Sequence, residues 1–152
     1  MRIVVACDHA GFTIKDAVIE AIESEGHEVL DVGTYSKDRV DFPDFAEKAG
    51  DAILNGEAER GVVICGSGIG VNIAMNKMNG IYAGLCMDIY SAHQGVEHDD
   101  MNVLCLGGLI VGPQLAKEMV ISFVNAKHIE LERYDNRIRK LKAIEARFSE
   151  KC

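Results

Sequence analysis

The chain has only two prolines and no long polar tract, and charged residues make up 26% of it against 48% hydrophobic. Sequences balanced this way bury enough apolar surface to offset the entropy of ordering, so disorder and low complexity are excluded over most of the length. Long hydrophobic runs are missing too: none approaches the roughly 18 residues that a membrane span requires. Met1-Arg2 leads directly into Ile3-Val4-Val5-Ala6-Cys7 without a charged-then-apolar leader. The expectation is a cytoplasmic protein with no membrane partner. Positive charge is also scarce. The formal net charge is -8, and binding to nucleic acid by counterion release needs clustered Lys and Arg that an acidic surface opposes. Nucleic acid is therefore excluded as a bulk partner, and any anionic ligand has to be held locally. The five cysteines, at 7, 65, 86, 105 and 152, form an odd set with no Cys-x-x-Cys spacing. Neither a disulfide framework nor a zinc site is indicated, and reduced thiols are expected.

What is present is a regular alternation of short apolar runs with helical periodicity. At 152 residues one domain spanning 1–152 is expected, large enough to bury roughly 70% of its unfolded surface without staples. Ile3 to Cys7 reads as a buried strand; Ile14, Ala17, Val18, Ala21 and Ile22 then recur at helical spacing, and Gly26 closes that helix before Glu28 to Val32 resumes an extended pattern. The same signals predict a helix from about Pro43 to Leu54, a strand at Gly61 to Cys65, a helix from Val71 to Met78 and a strand at Tyr82 to Cys86. A short helix around Tyr90 to Val96, a strand at Asn102 to Leu106, a helix at Pro113 to Asn125 and a last helix near Asp135 to Phe148 follow. Five buried strands linked by helices imply an α/β fold: a three-layer αβα sandwich, Rossmann-like, with a five-stranded parallel sheet covered on both faces.

In such sheets ligands bind beyond the carboxyl ends of the strands. Asp8-His9, Cys65 to Gly70 and Met87-Asp88 therefore share one rim. The run Ile64-Cys65-Gly66-Ser67-Gly68-Ile69-Gly70 stands out, because a strand delivers a thiol to a turn in which glycines let several N–H groups converge on one oxygen. That arrangement suits proton abstraction beside a carbonyl. Two other readings of the glycines are a dinucleotide fingerprint, with Asp88 on a ribose, and a tight turn with no ligand. Asp8 is placed either to cap the first helix or to act chemically. Cys7, Cys86 and Cys105 are expected to pack in the core, and His27 and His128 to sit at the surface. His98, flanked by Glu97, Asp99 and Asp100 just before the fifth strand, is either an oriented acid-base group or part of a solvated acidic loop. Arg133 and Arg137 share a helix face if the last helix is already wound there, and either grip one dianion or lie solvated.

Taken together, these segments resemble the sugar-phosphate isomerases of the ribose-5-phosphate isomerase B and galactose-6-phosphate isomerase group. The resemblance rests on Cys7 to Phe12, Asp31 to Thr34, Asp41-Phe42-Pro43, Ile64 to Gly70, Asn76-Lys77, Tyr90-Ser91-Ala92, Glu97-His98 and Asn102-Val103. It implies a cofactor-free, metal-free interconversion of an aldose phosphate and its ketose through a cis-enediolate. By this resemblance Cys65 is the base, Ser67 moves protons between the two oxygens, and the amides of Gly66, Gly68, Ile69 and Gly70 bind the enediolate. Asp8 and His98 assist ring opening, while His9, Arg133 and Arg137 bind the phosphate and Asp99 lies beside the sugar. It further implies a homodimer or dimer of dimers with shared active sites, the His98 segment coming from the partner, with the last helix packing at the site or the dimer interface.

Several positions depart from the family pattern. Asp99 stands where relatives usually have asparagine, Leu109 replaces an arginine that reaches the phosphate, Phe42 replaces a common tyrosine, and the Ala92-His93 pair is unlike the usual Ala-Arg. A less cationic pocket with altered hydrogen bonding leaves the sugar open among ribose 5-phosphate, a tetrose phosphate such as erythrulose 4-phosphate, and a hexose 6-phosphate. A nucleotide- or sugar-phosphate-binding module without catalysis is the alternative of a different class.

Overall fold

The computed structural model describes residues 1–149. Cys152 lies outside them. The elements are β1 (Arg2–Cys7), α1 (Phe12–Ser24), β2 (Glu28–Asp31), α2 (Phe42–Leu54), β3 (Arg60–Cys65), α3 (Ile69–Met75), β4 (Ala83–Leu85), α4 (Ile89–Asp99), β5 (Val103–Gly107), α5 (Pro113–Asn125) and α6 (Glu132–Ser149). All sheet pairings are parallel, in the order β2-β1-β3-β5-β4. The order therefore reverses direction between β1 and β3, which creates the switch-point crevice at their carboxyl ends.

Strand alternation sorts the core into two layers. Ile3, Val5, Cys7, Val62, Ile64, Leu104 and Leu106 face α1, α4 and α5, where Val18, Val96 and Phe123 meet them. Val4, Ala6, Val63, Cys65, Val103 and Cys105 face the other way, against α2 and α3, where Ala46, Ala49, Val71 and Met75 close the layer. Cys65 therefore comes off β3 on the α2/α3 face. Cys7, Cys86 and Cys105 are buried as expected.

Three element boundaries differ by three residues from those expected. α3 ends at Met75, where the exposed Asn76 side chain turns to the edge of the sheet, accepting from the Ala83 N–H (3.0 Å) and donating to the Ala83 carbonyl (2.8 Å). This side-chain amide pairs with the start of the short edge strand β4. α4 runs on to Asp99 instead of stopping near Val96; Asp100 ends it in the left-handed region (φ 57°), and the Met101 N–H closes on the Gly95 carbonyl at 3.1 Å. His98 consequently lies in the last turn of a helix, not in an acidic loop. α6 begins at Glu132, so Arg133 and Arg137 are both helical.

Candidate active site

The crevice between β1 and β3 is built from three turns. Leaving β1, the Asp8 N–H donates to the Ile64 carbonyl (3.2 Å) and prolongs the sheet by one residue. Its buried carboxylate accepts from the N–H groups of Ala10 and Gly11, both at 2.9 Å, and so forms the turn into α1. Asp8 does not cap α1, whose N-cap is Gly11 with no side-chain cap; its carboxylate instead shapes the turn that leads into the helix, and the same contacts hold it at the rim. Gly11 passes so close to β3 that a Cβ there would lie 2.5 Å from the Ile64 carbonyl oxygen. His9 Nδ1 accepts from the Val40 N–H at 3.3 Å. A backbone N–H can only donate, so Nδ1 carries the lone pair and the ring proton sits on Nε2. Behind that loop, buried Lys15 bonds Asp31 Oδ2 at 2.8 Å and the Thr34 carbonyl at 2.9 Å. Sequence reasoning did not single out this ion pair, because its partners meet only when α1 packs on β2.

The glycine turn carries the thiol. Cys65 Sγ accepts from the Gly68 N–H at 3.2 Å and is 5% exposed, and Ser67, exposed, accepts at Oγ from the Ile69 N–H at 3.3 Å. An N–H aimed at sulfur stabilises that sulfur when it carries charge. Gly68 takes φ 79°, and a Cβ there would lie 2.9 Å from the Leu106 carbonyl carbon. Only glycine meets both demands. Phe42, at the start of α2, lies against Gly70, within 2.8 Å of where a Cβ would stand. The Gly108 and Leu109 N–H groups donate to the carbonyls of Cys65 (2.8 Å) and Gly66 (2.9 Å), which sets the exposed Leu109 side chain beside the turn. Burial pushes the thiols of Cys7 and Cys86 up to about 11 and raises that of Cys105 as well. These three are held as neutral core groups.

A second cluster forms where α4 meets α6. The His98 ring stacks on Tyr134, centroids 4.1 Å apart at 15°. The guanidinium groups of Arg133 and Arg137 lie 4.7 and 5.9 Å from the same Tyr134 ring, and Arg133 donates to the Tyr134 hydroxyl at 3.0 Å. Gln94 Nε2 is 2.8 Å from His98 Nδ1 and 3.4 Å from Asp99 Oδ2. Tyr134 and Gln94 were missed by sequence reasoning. The available signals were that Tyr134 sits between two arginines and that Gln94 stands one turn before His98. His93 lies 3.0 Å from Glu97 Oε2 without hydrogen-bond geometry and meets the Tyr90 ring edge-on. His27 and His128 lie at the surface, half-buried, and His128 Nε2 is 2.8 Å from Asp135 Oδ1.

Within one chain the two clusters do not meet. Cys65 pairs with Gly107, the last residue of β5, whereas His98 precedes Val103, the first. A strand of that length spans roughly 13 Å. Met87 and Asp88 do reach the carboxyl rim, but Asp88 spends its carboxylate on capping α4, accepting from the Ser91 N–H at 2.7 Å and the Ser91 hydroxyl at 2.8 Å. Those two contacts hold it below the usual carboxylate range. A ribose ligand at this position would have to compete with them, which weakens the dinucleotide reading.

A doubly wound parallel sheet with a glycine-cradled thiol at its switch point defines the class: an α/β protein whose topology puts a ligand position at the rim beyond β1 and β3. The family follows from comparison with known proteins. Residues 3–141 match the ribose/galactose isomerase family, and the chain belongs to it. Ribose-5-phosphate isomerase B of Escherichia coli K12 is 40% identical over 96% of this chain and 97% of its own. A galactose-6-phosphate isomerase subunit of Clostridium acetobutylicum is 38% identical over 84% of this chain and 74% of its own. The structure of Clostridium thermocellum ribose-5-phosphate isomerase B superposes with a TM-score of 0.92, at 38% identity, over 97% of this chain and 99% of that one.

Proposed function

We propose that the protein is an aldose-ketose isomerase that interconverts ribose 5-phosphate and ribulose 5-phosphate through a cis-enediolate, a step of pentose phosphate metabolism. The observation that carries this reading is Cys65 Sγ receiving the Gly68 N–H at the switch point, beside the buried Asp8 carboxylate. Cys65 as thiolate takes the proton from C2 of the open aldose. The electron pair moves into the C1–C2 bond, and negative charge develops on O1. Amides of Gly66, Gly68, Ile69 and Gly70 are the donors for that charge, an effect worth roughly 3 to 4 kcal/mol per good donor in other enzymes. Ser67 carries a proton from O2 to O1, and the Cys65 thiol returns its proton to C1.

Ring opening is assigned to Asp8 and His98, and phosphate binding to His9, Arg133 and Arg137, with Asp99 beside His98. His9 would offer its Nε2–H. Arg133 and Arg137, exposed and on one face of α6, would supply the charge that the acidic chain otherwise lacks. The strand-length separation between the two clusters is what supports a homodimer or dimer of dimers: the Cys65 cluster of one subunit completed by the His98 cluster of another, with α6 at that interface. The whole chain then serves as one isomerase domain, working in the cytoplasm. A galactose-6-phosphate isomerase subunit among the relatives keeps hexose 6-phosphates in the test, and Leu109 at the turn keeps tetrose phosphates there.

The test is a panel of tetrose, pentose and hexose phosphates assayed for aldose-ketose conversion with solvent deuterium exchange. Ribose 5-phosphate should turn over fastest, and Cys65→Ala should abolish exchange while sugar-phosphate binding persists. Turnover of none, with binding retained, would leave a sugar-phosphate-binding module in place of an enzyme.

A further inference from the structure

His98 has two ring nitrogens, and which one carries the proton decides what the ring can do for a ligand. Resting on the isomerase reading, we infer that Gln94 and Asp99 are positioning residues that lock His98 as the Nε2–H tautomer, so that it meets the sugar as a proton donor. Asp99 sets the orientation of the Gln94 amide. Its carboxylate has no proton to give, so the side-chain atom of Gln94 that lies 3.4 Å from Asp99 Oδ2 has to be a donor, the amide nitrogen. The opposite amide orientation would set a carbonyl oxygen against a carboxylate oxygen, two acceptors facing each other. With its orientation fixed, the same NH2 group offers its second hydrogen to His98 Nδ1, 2.8 Å away. Nδ1 must then hold the lone pair, and the ring proton sits on Nε2. Tyr134, stacked at 4.1 Å, holds the plane of the ring, and the Gln94 contact selects the edge that carries Nδ1.

The four-residue step from Gln94 to His98 brings them to the same face of α4 one turn apart, and Asp99 reaches back across that turn. Continuation of α4 past Val96 is therefore what builds the device. It also gives the acidic residue at 99 a task that asparagine would not perform, because an asparagine amide can donate as well as accept and would tolerate either orientation of Gln94. The inferred arrangement parallels that of His9, where the Val40 N–H imposes the same tautomer.

The experiment is ring-nitrogen NMR on the full chain labelled with 15N-histidine, without ligand, with the His98 signals assigned by their loss in His98→Gln. Wild type should show an unprotonated Nδ1 and a protonated Nε2. Gln94→Glu, which replaces the donor by an acceptor, should move the proton to Nδ1 or leave both nitrogens protonated. Asp99→Asn and Gln94→Ala should each give a mixture of tautomers. A wild-type ring protonated at Nδ1, or a ring pattern unchanged in Gln94→Glu, would overturn the inference. Kinetics adds a readout that a structural role would not move. Ribulose 5-phosphate cannot close a five-membered ring because its 5-oxygen is esterified, so solvent exchange into it reports only steps after ring opening. Gln94→Glu should slow turnover of the cyclic aldose by about tenfold or more while exchange into the ketose stays within about twofold. Equal loss in both would also overturn it. A wild-type protein without turnover would remove the isomerase reading, and the ring-nitrogen pattern would still decide this one.

Discussion

At the residue scale, four buried cysteines divide by what the backbone offers them. Cys65 leaves its strand into a turn whose Gly68 N–H meets the sulfur. Cys7 ends β1 with its sulfur in the opposite layer, 3.9 Å from the Thr34 carbonyl, and burial pushes its thiol up to about 11 despite the nearby Lys15 charge. That shift has a measurable sign. Above about pH 8.5 the unfolded chain releases this proton and the folded chain keeps it, so stability is full below that pH and falls as pH rises towards 11. The loss attributable to Cys7 should be on the order of 2–3 kcal/mol, measured by urea unfolding between pH 8 and 11, and Cys7→Ala should flatten the slope. An identical slope in the variant would show that the thiol is not responsible. The rim positions of Asp8, His9 and Cys65 were legible in sequence because each lies within a few residues of a strand end, and a strand end fixes which rim a residue occupies. Tyr134 and Gln94 carried no such marker; their meaning comes from side chains on another element or another turn.

At the element scale, the helices are held at their ends as much as along their faces. Arg60, at the start of β3, donates to the carbonyls of Phe123 (2.7 Å), Val124 (3.4 Å) and Ala126 (2.9 Å) and so satisfies the C-terminal end of α5. A cation there also opposes the negative end of the helix dipole. Arg60→Ala should cost about 2 kcal/mol in thermal or urea unfolding and raise hydrogen exchange at the end of α5 before anywhere else. A change below about 0.5 kcal/mol would mean that water replaces the guanidinium at no cost. Boundary errors in the sequence reading have the same origin. Composition suggested that α4 would stop before its acidic end, yet Ala92 and Val96 packed on the core, together with the Ile129 N–H on the Glu97 carbonyl at 2.9 Å, carry it to Asp99. α3 was expected to reach Met78, and it ends at Met75, where the Asn76 side chain turns to the edge of the sheet.

At the scale of the whole molecule, the proposed site is divided between opposite ends of the sheet, and this gives a quantitative test of sharing. Cys65→Ala should be inactive as a pure protein, and His98→Ala should fail on the cyclic aldose, which is the substrate for this test. If each site takes Cys65 from one subunit and His98 from another, mixing and re-equilibrating the two variants should restore about a quarter of the wild-type activity, since half the dimers are hybrid and each hybrid has one intact site. No recovery, with subunit exchange verified by mass spectrometry, would confine the site to a single chain. The exposed apolar side chains around the rim, among them Ile69, Ile73, Met87, Leu109 and Ile110, are the surface such an assembly would cover.

The sequence by itself determined the layers of this protein, the parallel strands, the rim that carries Asp8, His9 and Cys65 to Gly70, and the likeness that named its family. Those depend on periodicity and on local turn chemistry, both of which are written in neighbouring residues. Only the tertiary structure decided that β1 lies beside β3, that His98 sits in the last turn of α4 stacked on Tyr134, and that Cys65 pairs with the last residue of β5 while the His98 helix ends before its first. The reason is physical: strand order, helix ends and stacking are settled by contacts between segments far apart in the chain, where burial and hydrogen bonding outweigh local preference.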